Sequence, residues 1–233
     1  MSKSAILGGE MELNLKTENN TIICNMQTLI LYLLFFYFIW TLKELWLINF
    51  FQSFGETTYA LLEALVKVLL WIVPIWIYVK YYLNTSPMSY FNMNINVRKG
   101  LFWGIILSTL VGLRFFIEIY LVNKESFHFV LPLDSYLDGF LVVGITEEMV
   151  FRGFLLKEFN KRMSFWKANG ITSFLFLLIH YPIWIHNGEF FHFWTHVYIF
   201  LLGLIFGFVY KKTGSLWSVV LLHSFYDLFV NII

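Results

Sequence analysis

The sequence predicts an all-α protein of the membrane, a polytopic transmembrane helical bundle of about seven spans, and three observations lead there. Apolar residues make up 59% of the 233-residue chain and charged residues only 13%, with a mean hydropathy of +0.69; a soluble domain carries roughly twice that charge. The apolar residues are gathered into runs of about 20, the length that crosses a hydrocarbon core roughly 30 Å thick. The basic residues fall on alternate connections between those runs, as in multi-pass proteins.

The first run extends from about Thr21 to Leu42, with no charge between Glu18 and Lys43. The second, about Ala60 to Tyr82, carries Glu63 and Lys67 near its start and Pro74 in its middle. Glu63 and Lys67 stand one helical turn apart in the favourable order, so they are expected to pair with each other at the membrane surface. A polar connection, Asn84 to Lys99, leads to the third run, about Gly100 to Val122. Its Arg114 and Glu118 have the same spacing and are expected to neutralise each other, the alternative being a substrate-facing role. With the N-terminal segment, these three helices form an accessory region, residues 1–130. Residues 131–233 form a core of four helices.

The fourth run, about Ser135 to Phe159, contains the stretch GITEEMVFRG, Gly144 to Gly153, which sets Glu147, Glu148 and Arg152 inside an apolar helix. Ionisable groups at membrane depth are costly and by default mark function. The fifth run, about Asn169 to Trp184, holds Phe176 and His180 and then Pro182, which cannot donate to the Leu178 carbonyl and is expected to kink the helix beside His180. The sixth, about Phe190 to Tyr210, has Gly203 and Gly207, a small-xxx-small spacing that lets a neighbouring helix approach. His192 and His196 near its start have metal-ligand spacing, but they lie near the outer surface and read as an interfacial polar cluster with His186. The seventh, about Leu216 to Ile233, carries His223 and Asp227 one turn apart.

One set of connections receives Lys3, Lys16, Lys80, Arg98, Lys99, Lys157, Lys161, Arg162, Lys167, Lys211 and Lys212; the other receives only Lys43 and Lys124. This bias places the N-terminus in the cytoplasm and the C-terminus outside, in the plasma membrane. A net charge of +1 without a basic stripe argues against nucleic acid as a partner, leaving membrane lipid and a peptide or protein substrate. Cys24, alone, allows neither an intramolecular disulfide nor a Cys-rich zinc site. Met1 to Asn20 is polar and acidic rather than signal-like, and Val230 to Ile233 contain no prenylation cysteine.

Counted from the basic ends of their helices at 1.5 Å per residue, Glu147, His180, His223 and Asp227 lie at depths of roughly 18, 16, 10 and 16 Å. Three helices therefore deliver polar groups to one level. Arg152 is expected to hold Glu148 across one turn, leaving Glu147, about 100° away around the helix, free for general acid or base chemistry. His223 and Asp227 share a face, so the carboxylate could fix the imidazole or complete a polar pocket.

The set Glu147-Glu148-x-x-x-Arg152, Phe176-x-x-x-His180 and His223-x-x-x-Asp227 resembles the CPBP family of intramembrane proteases. That group contains the type II CAAX prenyl endopeptidases and bacterial bacteriocin-processing or bacteriocin-immunity proteins, also called the Abi family. The resemblance covers about residues 135 to 233. It implies hydrolysis of a peptide bond by a water that Glu147 activates with His180, while His223 and residue 227 stabilise the tetrahedral intermediate. The eukaryotic prenyl endopeptidases have Asn at the last position, whereas Asp227 can donate to an oxyanion only when protonated. Oxyanion donor, orienter of His223 and metal ligand all stay open for Asp227. The family is often labelled metalloprotease; His180 and His223 with a carboxylate could hold Zn²⁺, and a metal-free glutamate mechanism is equally compatible. Two other classes remain: a non-proteolytic membrane immunity or partner-binding protein using the same polar cluster, and a proton-coupled transporter, against which the chain shows no internal repeat.

Overall fold

The computed structural model describes residues 26–124 and 130–232, all of them helical or connecting, with no strand among the described residues. Cys24 and the polar segment Met1 to Asn20 lie outside the described residues. Among the described residues five helices are long and apolar enough to cross a membrane: α1 (Met26–Gln52), α2 (Glu56–Tyr82), α4 (Val97–Asn123), the paired α6 (Phe165–Leu178) and α7 (Tyr181–Asn187), and α8 (Phe193–Thr213). Between α2 and α4 lies the short α3 (Pro87–Tyr90). The protein is a multi-pass membrane protein.

Two of the about seven expected spans are not long and apolar enough to cross a membrane by themselves. Residues 135–160 wind continuously as α5, but its centre is loaded with Glu147, Glu148 and Arg152 and so falls short of a lipid-compatible composition. Helix α9 (Trp217–Asn231) has only 15 residues, about 22 Å at 1.5 Å per residue, too short to span alone. These two helices carry most of the polar motif. They are shielded by their neighbours instead of by their own composition.

Other boundaries shift for local reasons. Helix α1 runs on past Leu42 to Gln52, so Lys43 and Glu44 are buried inside it and Lys43 is not a loop residue. Lys43 takes Glu63 as an ion-pair partner, and Lys67 takes Asp138 at 3.0 Å; the expected Glu63–Lys67 pair does not form. Both charges find a partner on a neighbouring helix, where burial makes each pairing tighter than it could be on a solvated face. Arg114 and Glu118 do pair with each other, at 2.8 Å, with side chains 56% and 44% exposed.

The break expected from Pro182 falls at Ile179–His180, between α6 and α7. The carbonyls it frees are taken up by side chains: Trp40 Nε1 of α1 donates to Ile179 O at 3.0 Å, and His180 Nδ1 lies 3.0 Å from Phe176 O. An unsatisfied carbonyl in a lipid-facing bundle is costly, so α1 stabilises the break beside His180. Tyr37 of α1 adds a hydrogen bond to Leu175 O at 2.5 Å.

Helix α5 occupies the centre, with every residue from Thr146 to Leu156 buried. Helix α9 packs against α4 and α5, and α8 packs along α6. Two glycines set these distances. A Cβ on Gly144 of α5 would lie 2.2 Å from Ser224 Oγ and 3.0 Å from Val220 O of α9, and one on Gly207 of α8 would lie 1.8 Å from Asn169 Oδ1 of α6. The outer faces of α1 and α4 expose Leu31, Leu34, Phe35, Phe102, Ile105 and Leu110, an apolar surface suited to acyl chains.

Gly144→Ala should therefore push α9 from α5 and lower stability by about 1–3 kcal/mol. Gly170→Ala, at a helical glycine whose added methyl would meet nothing within 4 Å, should raise it by up to about 1 kcal/mol. Unfolding midpoints of the two variants in detergent compare them directly.

Candidate active site

Two adjacent carboxylates project from α5 in different directions. Glu148 is 0% exposed and its Oε1 receives Arg152 Nη1 at 2.8 Å, one turn along the same helix. The same oxygen lies 2.8 Å from His223 Nδ1 of α9. Arg152 spends a second donor on the Gly203 carbonyl of α8 at 3.0 Å, and its guanidinium stacks over the rings of Phe176 and Phe206. Gly203 was expected to serve packing alone; it also supplies an acceptor that fixes the arginine.

Glu147 points elsewhere. Its Oε2 is buried and has no hydrogen-bond partner, and it lies 4.0 Å from His223 Nε2. That nitrogen also faces Asp227 Oδ2 at 3.4 Å. His223 is thus held between Glu148 at one ring nitrogen and Asp227 and Glu147 at the other. Phe206 packs against its ring at 5.1 Å between centroids.

His180 reaches the same neighbourhood by a different route. A backbone carbonyl can only accept, so the 3.0 Å contact with Phe176 O places the proton of a neutral His180 on Nδ1 and leaves Nε2 as an acceptor. The ring of Phe176 packs against both imidazoles, with centroids 5.2 Å from His180 and 5.8 Å from His223. Among the described residues His180 makes no direct hydrogen bond to Glu147, Glu148 or His223. It is gathered to the cluster through the shared phenyl ring.

Residues 130–229 match the family model Type II CAAX prenyl endopeptidase Rce1-like. This region is an Rce1-like domain. No curated protein and no solved structure matches the chain. At the level of the family, the Rce1-like domain is that of a membrane endopeptidase, and all seven motif residues lie within its matched segment. Zn²⁺ would require at least three converging His, Cys, Asp or Glu side chains. Among the described residues no such group is formed. In this packing the residues do not fit the ion.

Two groups escaped sequence reasoning. Lys67 of α2, outside the Rce1-like domain, is buried with its ammonium on Asp138 of α5, and the next turn of α2, residues 68–72, packs against the 143–148 segment of α5 that carries Glu147. The signal was present: Lys67 lies 15 residues before Tyr82, roughly 22 Å deep by helical rise, near the level of Glu147. Trp40, which serves the break beside His180, left no sequence signal. The expected histidine cluster is instead an aromatic nest: His196 Nε2 lies 2.8 Å from Phe190 O and its ring packs on Tyr181, Trp184 and Phe190, while His192 is exposed.

Removing Arg152 would leave Glu148 as a buried charge without its guanidinium. Arg152→Met should destabilise the fold by about 3–5 kcal/mol, whereas Arg114→Met, which breaks a half-exposed pair, should cost less than about 1 kcal/mol. Equilibrium unfolding in detergent separates the two.

Proposed function

We propose that this protein is an intramembrane endopeptidase that hydrolyses a peptide bond in a membrane-associated peptide or protein, with Glu147 as general base. The observation that carries the reading is the buried, unpartnered Glu147 Oε2 facing His223, with no hydrogen bond to Arg152, beside a Glu148 whose Oε1 is committed to Arg152 and His223. A carboxylate so placed has one lone pair to give to a water, and burial in an apolar bundle is otherwise a poor use of it.

In this mechanism a water sits between Glu147 Oε2 and His180 Nε2, donating one hydrogen bond to each. Glu147 takes a proton as the water oxygen bonds to the scissile carbonyl carbon, and the negative charge moves to the carbonyl oxygen. His223, carrying a proton on each nitrogen, donates Nδ1–H to Glu148 and turns Nε2–H to that oxyanion. Collapse breaks the C–N bond, and Glu147 returns its proton to the leaving amine. At rest Asp227, 3.4 Å from Nε2, orients His223, and the Nε2–H turns from it to the oxyanion as that charge develops. Glu148 and Arg152 support the imidazole electrostatically. No step needs a metal.

The chain resides in the plasma membrane with its N-terminus in the cytoplasm and its C-terminus outside, a reading supported by the one-sided distribution of basic residues. Residues 131–233 act as the catalytic core, with residues 1–130 as its accessory region.

Purified wild type in lipid vesicles, given a pool of fluorogenic membrane-tethered peptides with prenylated CAAX-type and unprenylated members, should cleave at least one. Glu147→Gln and His180→Ala should insert and fold but lose at least about a hundredfold in rate. Full activity of either variant, or no cleavage by wild type, overturns the reading. Enzyme washed with chelator and shown metal-free by elemental analysis should remain active; activity that returns only with added Zn²⁺ would overturn the metal-free mechanism.

A further inference from the structure

The charge around Glu147 does not balance within the Rce1-like domain alone. Glu148 of α5 and Asp227 of α9 stand around the same imidazole as Glu147, and Asp138 of α5 lies against Lys67. Arg152 is already committed to Glu148 and to the Gly203 carbonyl. His223 is shared among Glu147, Glu148 and Asp227. His180 of α6 contributes a ring turned to a backbone carbonyl. Of the two buried lysines over Trp40, Lys43 is taken by Glu44 and Glu63, and Lys67 arrives beside α5 from α2, outside the segment of the family match.

The setting of Lys67 is built with care for its charge. Its side chain is 7% exposed, its Nζ lies 3.0 Å from Asp138 Oδ2, and the indole of Trp40 lies beneath it with the ammonium 5.7 Å from the ring centroid. Asp138 Oδ1 is buried without a hydrogen-bond partner, so this pair is not a closed, fully satisfied bridge of the kind a purely structural contact favours. A buried ammonium acts on neighbouring charges more strongly than one at a surface.

We propose that Lys67 is a positioning residue for the reaction, the group that holds the Glu147 carboxylate in place against its carboxylate neighbours Glu148 and Asp227. The inference rests on Glu147 acting as the base. It assigns the accessory helices a part in catalysis: α2 delivers the cation, Asp138 of α5 aims it, and Trp40 of α1 supports it from below. Lys67 does not touch the substrate, so its loss should change turnover and leave substrate binding nearly intact.

The test measures kcat and KM on the cleaved peptide of the pool above, together with thermal stability, for five proteins in the same vesicles. Lys67→Met should lower kcat by about tenfold to a hundredfold with little change in KM. Lys67→Arg, which keeps the charge, should retain most of the activity. The exchanged pair Lys67→Glu/Asp138→Lys should recover stability, since an ion pair is again present, yet keep a low kcat because the cation now stands on α5. Wild-type kcat in the exchanged pair would mean that Lys67 and Asp138 only hold helices together, and would overturn the proposal even where Lys67→Met fails to fold. If Glu147→Gln, the fifth protein, is inactive while Lys67→Met turns over like wild type, this inference alone falls. If Glu147→Gln cleaves normally, the hydrolase reading falls and this inference with it.

Discussion

The carboxylate of Glu148 receives the guanidinium of Arg152 and the imidazole of His223 at the same oxygen, each at 2.8 Å, in a place closed to solvent. Burying three such groups is expensive, and a buried charge that loses its partner costs several kcal/mol. The helix packing follows from that constraint. Gly144 lets α9 come close enough for His223 to reach α5, and Gly203 offers Arg152 a backbone acceptor from α8. Phe176 and Phe206 cover the guanidinium and imidazole faces that remain. Both partners of Glu148 fall on Oε1, so its Oε2, like Oε2 of the adjacent Glu147, is left without a hydrogen bond from the protein.

The helices outside the Rce1-like domain are tied to this centre by polar contacts. Trp40 and Tyr37 of α1 hydrogen-bond to the carbonyls of Ile179 and Leu175, around the break that carries His180. Lys67 of α2 binds Asp138 of α5. Such contacts are strong where water is scarce and are retained only where both partners are present. The proposed catalytic role of the core accordingly leans on side chains that the family match does not contain.

How much of this was readable in the sequence depended on how far apart the partners lie. Glu148 and Arg152 are one helical turn apart, and their pairing follows from helix geometry alone. Arg114 and Glu118 follow the same rule. The convergence of His223 with Glu147 and Glu148 was legible through depth, because helical rise converts position along a span into height in the bilayer. Lys67 and Asp138, 71 residues apart, were hidden by a plausible local partner: Glu63 stands at the right spacing, and a rule about neighbours cannot see that Lys43 claims it. Composition also misled at α5 and α9. A helix shielded by others need not itself satisfy the length and apolarity of a lone span. The break at His180 was foreseen from Pro182, but the indole that satisfies it comes from 139 residues away.

The central claim is that Glu147 directs water to a peptide bond inside this bundle. Comparing the peptides of membranes that carry wild type or Glu147→Gln, incubated in ¹⁸O-labelled water, tests it most directly. The account predicts at least one peptide whose newly formed C-terminal carboxylate carries ¹⁸O in the wild-type sample and which is missing from the Glu147→Gln sample. Indistinguishable peptide sets, or the same ¹⁸O-labelled product from both membranes, would contradict it.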